Sequence, residues 1–474
     1  MAELSSTASP GETTPLRKVP VALLAGPIVP AMLRLALPTV VVLVAQTFVG
    51  VAETYFVSSL GTEVLAGVAL VFPVLMLMQM TSNGGLGGGV ASAVARAQGA
   101  GRRADANALV WHSVVVAGVF GAVFTVAMIL GGPALYRAMG GGGQTLSTAL
   151  TYSNMVFAGS VPIWIVALLS ATLRGVGEVR IPALITLAGA GILLPLSPVL
   201  IFGWGPFPRL GVAGAGVAIV VYYALAALLL IGYLRSTRSP LRLSVVRLDA
   251  RLFKDILGVG LLSAVGTVQV NLTVAIVTAA VGRFGADAIA GYGIASRLDY
   301  VQIPLLFGLG TAIVTMVGVN LGAGQTDRAL RIAWIGAAIA FSFTELIGLA
   351  AATFPNVWLG LFSDDPQVLS RGESYLRNVA PVYGAIGAGM ALYFASQATK
   401  RVLWPVLAGT ARMIIAAGVG WWAVTRLGAD LPSLFQIVAL AAAVFCAITV
   451  SATFASGRAH RSAIRSAVQP DPAE

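Results

Sequence analysis

The sequence predicts an all-α polytopic membrane protein with about twelve transmembrane helices in two pseudo-symmetric six-helix lobes. Of its 474 residues, 58% are hydrophobic and only 10% are charged, whereas about 25% of the residues in a soluble globular protein are charged. Apolar segments of roughly 20 residues, each long enough to cross a hydrocarbon layer about 30 Å thick, recur along nearly the whole chain. We therefore expect a multi-pass protein of the plasma (inner) membrane.

The apolar segments form two sets of six that match in length and order. A basic segment at 236–251 separates the sets, and we expect it to be a cytoplasmic linker between an N-terminal lobe at 29–235 and a C-terminal lobe at 252–458. Polar tails are predicted at 1–28 and 459–474. The predicted spans are 31–58, 63–98, 104–131, 147–173, 179–204, 212–235, 252–281, 285–320, 326–353, 370–398, 401–426 and 433–458.

An internal repeat relates the two sets of spans. The segment Gly61-Thr62-Glu63-Val64-Leu65-Ala66-Gly67 recurs as Gly285-Ala286-Asp287-Ala288-Ile289-Ala290-Gly291. Three further markers recur in nearly the same register, namely 99–106 at 322–329, Tyr152 at Tyr375 and Pro182 at Pro405. Because each half has an even number of spans, the halves are related by an axis along the membrane normal. We expect two bundles that face each other across a central cavity.

The distribution of basic residues predicts the orientation in the membrane. The formal net charge is +11, and about twenty of the 29 Lys and Arg residues fall on the side of the predicted linker. Cytoplasmic loops carry such an excess of Lys and Arg, so both termini are expected in the cytoplasm. The positive charge is explained by orientation, and no nucleic-acid partner is expected.

Glu53 is a carboxyl group inside the first predicted span. A charged side chain in a bilayer costs at least ~2.5–3.5 kcal/mol, so such an acid is a functional-site hypothesis by default. Desolvation disfavours the charged form, and we expect Glu53 to be protonated for part of a transport cycle and to carry a coupling proton. Gln46 shares its helical face, and Gln79 and Asn83 in the second span could complete a small hydrated pocket. Interhelical hydrogen bonding alone is the alternative for Gln79 and Asn83.

A possible second polar site lies near the start of the eighth span, at Arg297, Asp299 and Gln302. Neutralisation of Arg297 by Asp299 or another acid is the favoured interpretation, and an ion or substrate site at Asp299 is the alternative. Glu345 in the ninth span and Arg412 in the eleventh could pair with each other.

Catalytic and metal-binding chemistry is not predicted. His112, near the start of the third span, is expected to be a packing histidine and not a proton relay. The single cysteine, Cys446, lies in the last apolar segment and is expected to be a buried apolar residue. Clustered His, Cys or carboxylate residues with catalytic or metal-ligand spacing are not found in the sequence, so we expect no enzyme, no metal and no cofactor.

Several motifs carry a family resemblance that covers roughly residues 30–455. With these motifs the sequence resembles the multidrug and toxic compound extrusion (MATE) family. The motifs are 60–67 leading to Phe72-Pro73, Asn83-Gly84 through 97–101, Leu200-Ile201-Phe202-Gly203, 211–218 and Asn320-Leu321-Gly322-Ala323-Gly324. The resemblance implies a twelve-helix antiporter of two six-helix lobes that works by alternating access. Pro38 is expected to kink the first helix.

The resemblance is closer to the DinF-like branch than to the NorM-like branch. In the DinF-like branch an aspartate occupies the place of Glu53, and an Asn and an Asp lie in the fifth span where this sequence has Leu193 and Ser197. The second carboxylate is therefore missing. The NorM-like branch has acids in the seventh and tenth spans, but this sequence has none around Gln269 or within the tenth span beyond Glu373.

The predicted function is export of amphipathic organic cations in exchange for protons or sodium ions. A single carboxylate suits a proton better than a sodium ion, which normally takes several oxygen ligands. The alternative is a flippase of lipid-linked precursors in the same superfamily, and a non-transporting receptor or channel is less favoured. We expect the partners to be a small organic substrate, the coupling H+ or Na+ and the lipid bilayer, and we expect a monomer.

Overall fold

The computed structural model describes residues 21–468, and within them the chain runs through helix after helix. Within these residues eleven helices are long and apolar enough to cross a membrane, and a pair bent by 47° provides a twelfth when it is counted as one span. A short helix, Val21–Leu24, precedes the first span. The parts of the predicted tails at 1–20 and 469–474 lie outside the described residues. The predicted all-α fold of about twelve spans is confirmed.

We refer to spans 1–6 as the N-lobe. Their ends lie within a few residues of the predicted ones except at the later end of span 3. They are span 1, Ile28–Ser58; span 2, Thr62–Gly99; span 3, Arg103–Ala138; span 4, Gly143–Ala158 with Ser160–Gly175; span 5, Arg180–Phe202; and span 6, Val212–Arg235.

We refer to spans 7–12 as the C-lobe. They are span 7, Ala250–Phe284; span 8, Ala286–Gly322; span 9, Thr326–Thr353; span 10, Pro366–Ala398; span 11, Leu403–Arg426; and span 12, Leu431–Arg458. The span ends at the predicted residue, and its helix continues beyond it to Val468.

Two spans of the N-lobe are irregular near their middle. Span 4 bends at Gly159, where a Cβ would collide with Val220 of span 6. The hydroxyl of Thr125 in span 3 donates a 2.6 Å hydrogen bond to the carbonyl of Phe157 beside the bend, so a backbone acceptor in the membrane interior has a partner, as it must in lipid. Span 2 contains a π-helical turn, Thr81–Leu86, at the start of its glycine run. Such turns are often found at functional sites.

The sequence repeat is also a repeat of backbone conformation. Gly61 and Gly285, which begin the repeated segment in each half, have φ of +115° and +102°. Gly101 and Gly324, which are equivalent in the second repeated marker, have φ of +70° and +76°. Residues with a Cβ rarely adopt positive φ, so glycine is required at the same turn in each lobe.

The lobes pack against each other mainly on one side, which we call the linker side because the segment between spans 6 and 7 lies there. The second half of span 2, Gly87–Gly99, packs on spans 7 and 8 of the C-lobe, and the first half, Thr62–Met80, packs on span 4 of its own lobe. Glycines allow the close approach, because a Cβ at Gly99 or Gly322 would collide with the opposite lobe. The lobes therefore meet on the linker side and separate toward the opposite side.

The segment between spans 6 and 7 is fixed to span 3. The backbone N–H of Asp249 donates to Nε2 of His112 over 2.8 Å, and Nδ1 of the same ring lies 2.8 Å from the carbonyl oxygen of Ala108. The backbone N–H of Arg242 donates to Oδ1 of Asn107 over 2.9 Å. Both ring nitrogens of His112 therefore have backbone partners, which confirms the predicted packing role.

Candidate functional site

Glu53 lies on span 1 and faces span 5. Its Oε2 accepts a 3.0 Å hydrogen bond from Oγ of Ser197, a residue that is fully buried. Its Oε1 is buried and has no hydrogen-bond partner among the described residues. The carboxyl group thus keeps one oxygen free to bind a proton or another cation inside the N-lobe.

Neutral polar groups surround this acid. Gln46, two turns away on span 1, lies beside the Tyr222 hydroxyl of span 6, and that hydroxyl also lies beside Thr186 of span 5. Tyr152 of span 4 is buried within electrostatic range of Glu53. The predicted common face of Gln46 and Glu53 therefore points into the interior of the N-lobe, toward spans 4, 5 and 6.

Gln79 and Asn83 make no hydrogen bond to Glu53 among the described residues. The Asn83 amide donates a 3.2 Å hydrogen bond to the carbonyl of Gln79 in its own span, and Asn83 lines a cavity between the lobes. Span 1 packs mainly on spans 5 and 8 and only slightly on the first half of span 2. A shared coupling site of these residues with Glu53 stays a prediction. The neutral partner of Glu53 is Ser197, 144 residues away in sequence.

The C-lobe contains its own buried acid, Asp299 of span 8. The Tyr375 hydroxyl of span 10 donates a 2.7 Å hydrogen bond to Oδ2 of Asp299. The Tyr383 hydroxyl and the Arg412 guanidinium are also close enough to interact with this carboxyl group. The acid therefore has one hydroxyl donor, a second hydroxyl and one cation nearby, and an Oδ1 that is buried without a hydrogen-bond partner among the described residues.

The predicted pairing of Arg297 with Asp299 is wrong. Arg297 is exposed, and its guanidinium carbon lies 5.7 Å from the centre of the Phe362 ring. Residues two positions apart on an α-helix lie on nearly opposite faces, so Arg297 and Asp299 point in different directions. Arg412 of span 11 is the cation near Asp299 instead. The Gln302 amide is buried and donates to the Leu298 carbonyl of its own helix over 3.4 Å.

Glu345 does not pair with Arg412. Its Oε2 accepts a 2.7 Å hydrogen bond from the backbone N–H of Gly384, which is in the first turn of the helix Tyr383–Ala398. Acceptors suit the unpaired N–H groups at a helix start. The carboxyl group of Glu345 is thus used to join span 9 to span 10.

A further polar site lies in a small cavity in the seam between the lobes. It contains Arg174, which follows the predicted end of the fourth span at 173 and lies inside the observed helix Ser160–Gly175. The bend in span 4 and its packing on span 2 bring this side chain to the cavity, and a single sequence carries no signal of that. The lining residues are Asn83, Gly84, Gly87, Gly88, Ala91, Arg174, Phe307, Thr311, Val314, Phe394 and Gln397.

Two curated relatives are similar in sequence to this chain along most of its length. An FAD transporter from Shewanella oneidensis is 27% identical over 83% of this chain and 87% of its own length. A protein from Thermotoga maritima named "Probable multidrug resistance protein NorM" is 28% identical over 71% of this chain and 73% of its own length.

A solved structure shows the same fold. An outward-facing conformation of a multidrug resistance MATE family transporter superimposes with a TM-score of 0.83 at 24% identity, covering 94% of this chain and 98% of that one. The model of the MatE family matches residues 38–199 and 263–422, which together are more than half of the chain. The two matched segments fall one in each lobe. The chain belongs to the MatE family of membrane transporters.

Proposed function

We propose that this protein is a secondary active antiporter that exports amphipathic organic compounds in exchange for protons. The observation that carries the proposal is the Glu53 carboxyl group, which is held in a membrane span by one hydroxyl hydrogen bond and keeps one oxygen without a partner among the described residues. An acid in that position is costly unless it has a function. Its two oxygens can take up and release a proton as the lobes move.

The packing of the lobes supports alternating access. They pack on each other mainly on the linker side, and we propose that a central cavity between them opens toward the opposite side. We place the linker side in the cytoplasm, because most Lys and Arg residues lie there. In this proposal the protein is an exporter of the plasma (inner) membrane that acts as a monomer, and the packing on the linker side belongs to its outward-open state.

Sodium is the less favoured coupling ion. Hard cations bind several oxygen ligands at once, whereas the Glu53 site offers one carboxyl group and the hydroxyl of Ser197. The resemblance of span 1 to the DinF-like branch supports a coupling site in the N-lobe. In that branch a second acid occupies the position of Ser197. In this chain the Ser197 hydroxyl donates a hydrogen bond to Glu53.

Transport into inverted membrane vesicles tests this proposal. We expect an imposed pH gradient, acid inside, to drive uptake of a fluorescent amphipathic dye such as rhodamine 123, and an inward-directed choline gradient to have no effect. Glu53→Gln should reduce the proton-driven uptake at least about tenfold, since it removes the titratable group. The matched control is Glu63→Gln, an exposed acid in the first turn of span 2. Uptake that is unchanged in Glu53→Gln, or driven by a sodium gradient alone, would contradict proton antiport at Glu53.

A flippase of lipid-linked precursors is the second candidate function, and one observation favours it. A flippase needs a cation in its central cavity for the phosphate groups of the lipid, and Arg174 supplies one. Unlike an antiporter, such a protein would scramble a fluorescent lipid phosphate in proteoliposomes without any ion gradient. Gradient-independent scrambling that Arg174→Gln abolishes would replace the antiport proposal with this one.

A further inference from the structure

Spans 4 and 10 end on the linker side in the same kind of turn. The helix Ser160–Gly175 is followed by Gly177 with φ of +82°, and the helix Tyr383–Ala398 is followed by Lys400 with φ of +59°. The two turn residues occupy equivalent positions in the register of the repeat. A residue in the left-handed conformation at this place closes a Schellman motif, in which two backbone N–H groups cap the last helical turn. The two lobes therefore present matching helix ends at the linker side.

Each motif leaves helix carbonyl groups for a donor from elsewhere. At the end of span 10 the backbone N–H of Arg401 donates to the carbonyl of Ser396 over 3.1 Å, and at the end of span 4 the N–H of Glu178 donates to Leu173 over 2.9 Å. Within the described residues, no backbone N–H donates to the carbonyl of Ala398. A side chain or water has to supply the missing donor.

The opposite lobe supplies a donor at each helix end. Nη1 of Arg96 in span 2 donates to the carbonyls of Ala398 and Gln397 over 2.9 and 3.4 Å. The hydroxyl of Thr315 in span 8 donates to the carbonyl of Arg174 over 2.8 Å. A side chain of the N-lobe thus caps a helix of the C-lobe, and a side chain of the C-lobe caps the equivalent helix of the N-lobe.

The two caps differ in strength. Arg96 is a cation at the negative end of a helix dipole, and hydrogen bonds from charged donors are roughly twice as strong as neutral ones. Its Nη2 is buried without a hydrogen-bond partner among the described residues, so the two carbonyls are the acceptors that hold this guanidinium. The hydroxyl of Thr315 also lies 3.0 Å from the carbonyl of Thr311 in its own helix, which remains available if the lobes part. Arg96 therefore loses more than Thr315 when the linker side opens.

We infer that Arg96 and Thr315 are gate residues, whose exchanged caps hold the linker side of the two lobes closed. The inference rests on the proposed function, because an exporter must admit its substrate from the linker side. Arg96 and Ala398 belong to different lobes, so their hydrogen bond breaks when the lobes separate there, and the same holds for Thr315 and Arg174. Close packing at Gly99 and Gly322 brings the lobes together, and the two caps add hydrogen bonds that exist only in the closed arrangement.

Spin-label distances test the gate. One label is placed at Arg180→Cys in span 5 and the other at Arg331→Cys in span 9, two exposed positions near the linker side of different lobes. The protein carries Cys446→Ser, which removes its single native cysteine. Double electron–electron resonance in phosphatidylcholine nanodiscs, without substrate or ion gradient, gives the populations of short and long distances. We expect the short distance to predominate in this parent protein.

Variants assign the closed population to the caps. Arg96→Met should raise the ratio of long to short distances at least about fivefold, because a charged hydrogen bond present in only one state is lost. Thr315→Val should raise it about twofold, and Arg96→Lys should fall between Arg96→Met and the parent. The matched controls are Arg103→Met, at an exposed arginine in the first turn of span 3, and Thr344→Val, at a buried threonine that donates within span 9. Both controls should leave the ratio unchanged.

Three results would overturn the inference. They are a ratio in Arg96→Met no higher than in the parent, an equal rise in Arg103→Met, which would assign the effect to the total charge of the linker side, and a changed distance within the N-lobe. The last is measured between labels at Arg180 and Arg235, and a change there in Arg96→Met would make Arg96 a residue that supports its own lobe.

The gate and the antiport can fail separately. The distance measurement needs no transport, and proton-driven dye uptake needs no spin label. Unchanged distances in a protein with proton-driven uptake would remove the gate and keep the antiport. A raised long-distance population in Arg96→Met of a protein without such uptake would keep the gate and remove the antiport.

Discussion

The N-lobe and the C-lobe each bury one carboxyl group, but they treat it differently. Glu53 in the N-lobe has one hydroxyl donor, Ser197, and one oxygen without a partner among the described residues. Asp299 in the C-lobe accepts from Tyr375 through Oδ2, and its Oδ1 also has no hydrogen-bond partner among the described residues. The difference is that Asp299 has the guanidinium of Arg412 and the Tyr383 hydroxyl nearby, whereas no described cation lies beside Glu53. In our proposal Glu53 therefore exchanges the coupling proton and Asp299 is partly neutralised by Arg412.

The internal repeat shows which features the two lobes share and which features differ between them. Tyr152 and Tyr375 occupy equivalent positions of the repeat, and each lies near the acid of its own lobe. The acids themselves are not equivalent, because Glu53 is on span 1 and Asp299 is on span 8. The backbone and the tyrosine are repeated, whereas the charges are placed separately in each lobe. We therefore expect function to depend on the N-lobe acid and stability to depend more on the C-lobe acid.

The largest expected effect on stability is at the C-lobe acid. Asp299→Asn should lower the free energy of unfolding by about 2–3 kcal/mol, because it removes the negative charge near Arg412 and weakens the hydrogen bond from Tyr375. Glu53→Gln, as the matched change in the other lobe, should cost less than about 1 kcal/mol, since its acid has no cation beside it and a hydrogen-bonded amide replaces it. Equilibrium unfolding in mixed detergent micelles measures both. Equal losses would remove the distinction between the lobes.

The two equivalent tyrosines give the next largest difference. Tyr375→Phe should cost about 2 kcal/mol of unfolding free energy, because it leaves a buried carboxyl oxygen without its donor. Tyr152→Phe should cost less than about 0.5 kcal/mol, since its hydroxyl makes no hydrogen bond among the described residues and the ring packing is kept. The same unfolding measurement compares the pair, and a larger loss for Tyr152→Phe would show that the tyrosine supports the N-lobe acid instead.

A second acid in the N-lobe should change the coupling ion. Ser197→Asp places a carboxylate opposite Glu53, and two adjacent like charges favour binding of a cation between them. We expect the sodium concentration that half-saturates sodium-driven uptake to fall at least about tenfold, or sodium-driven uptake to become measurable. The uncharged, similarly sized Ser197→Asn is the control. Identical sodium responses of the two variants would argue that Ser197 is not at the coupling site.

The smallest expected effect comes from removing one hydroxyl. Ser197→Ala takes away the hydrogen bond to Glu53 and should cost about 1 kcal/mol of unfolding free energy, together with a roughly fivefold slower proton-driven uptake. Ser113→Ala removes a buried hydroxyl that donates only to its own helix, at Leu109, and should leave uptake unchanged. If both variants transport equally, the hydroxyl of Ser197 has no part in coupling.

Much of the fold was predictable because it depends on local sequence properties, such as the length of an apolar segment or the position of a glycine. Span lengths follow from the thickness of the hydrocarbon layer, and the glycine turns at Gly61 and Gly285 recur because the backbone there needs positive φ. The packing role of His112 was also predicted, although its partner Asp249 was not. The bend of span 4 at Gly159 and the π-helical turn in span 2 were not predicted, since both arise from neighbouring spans.

The sequence by itself determined the membrane class, the number of spans, the twofold repeat and the presence of a carboxyl group at Glu53, because these depend on local composition and spacing. Only the tertiary structure decided which groups meet: Ser197 at Glu53, Arg412 in place of Arg297 at Asp299, and Arg174 in the seam between the lobes. The physical reason is that partners on different spans are set by how helices rotate and cross, and a single sequence does not carry that information.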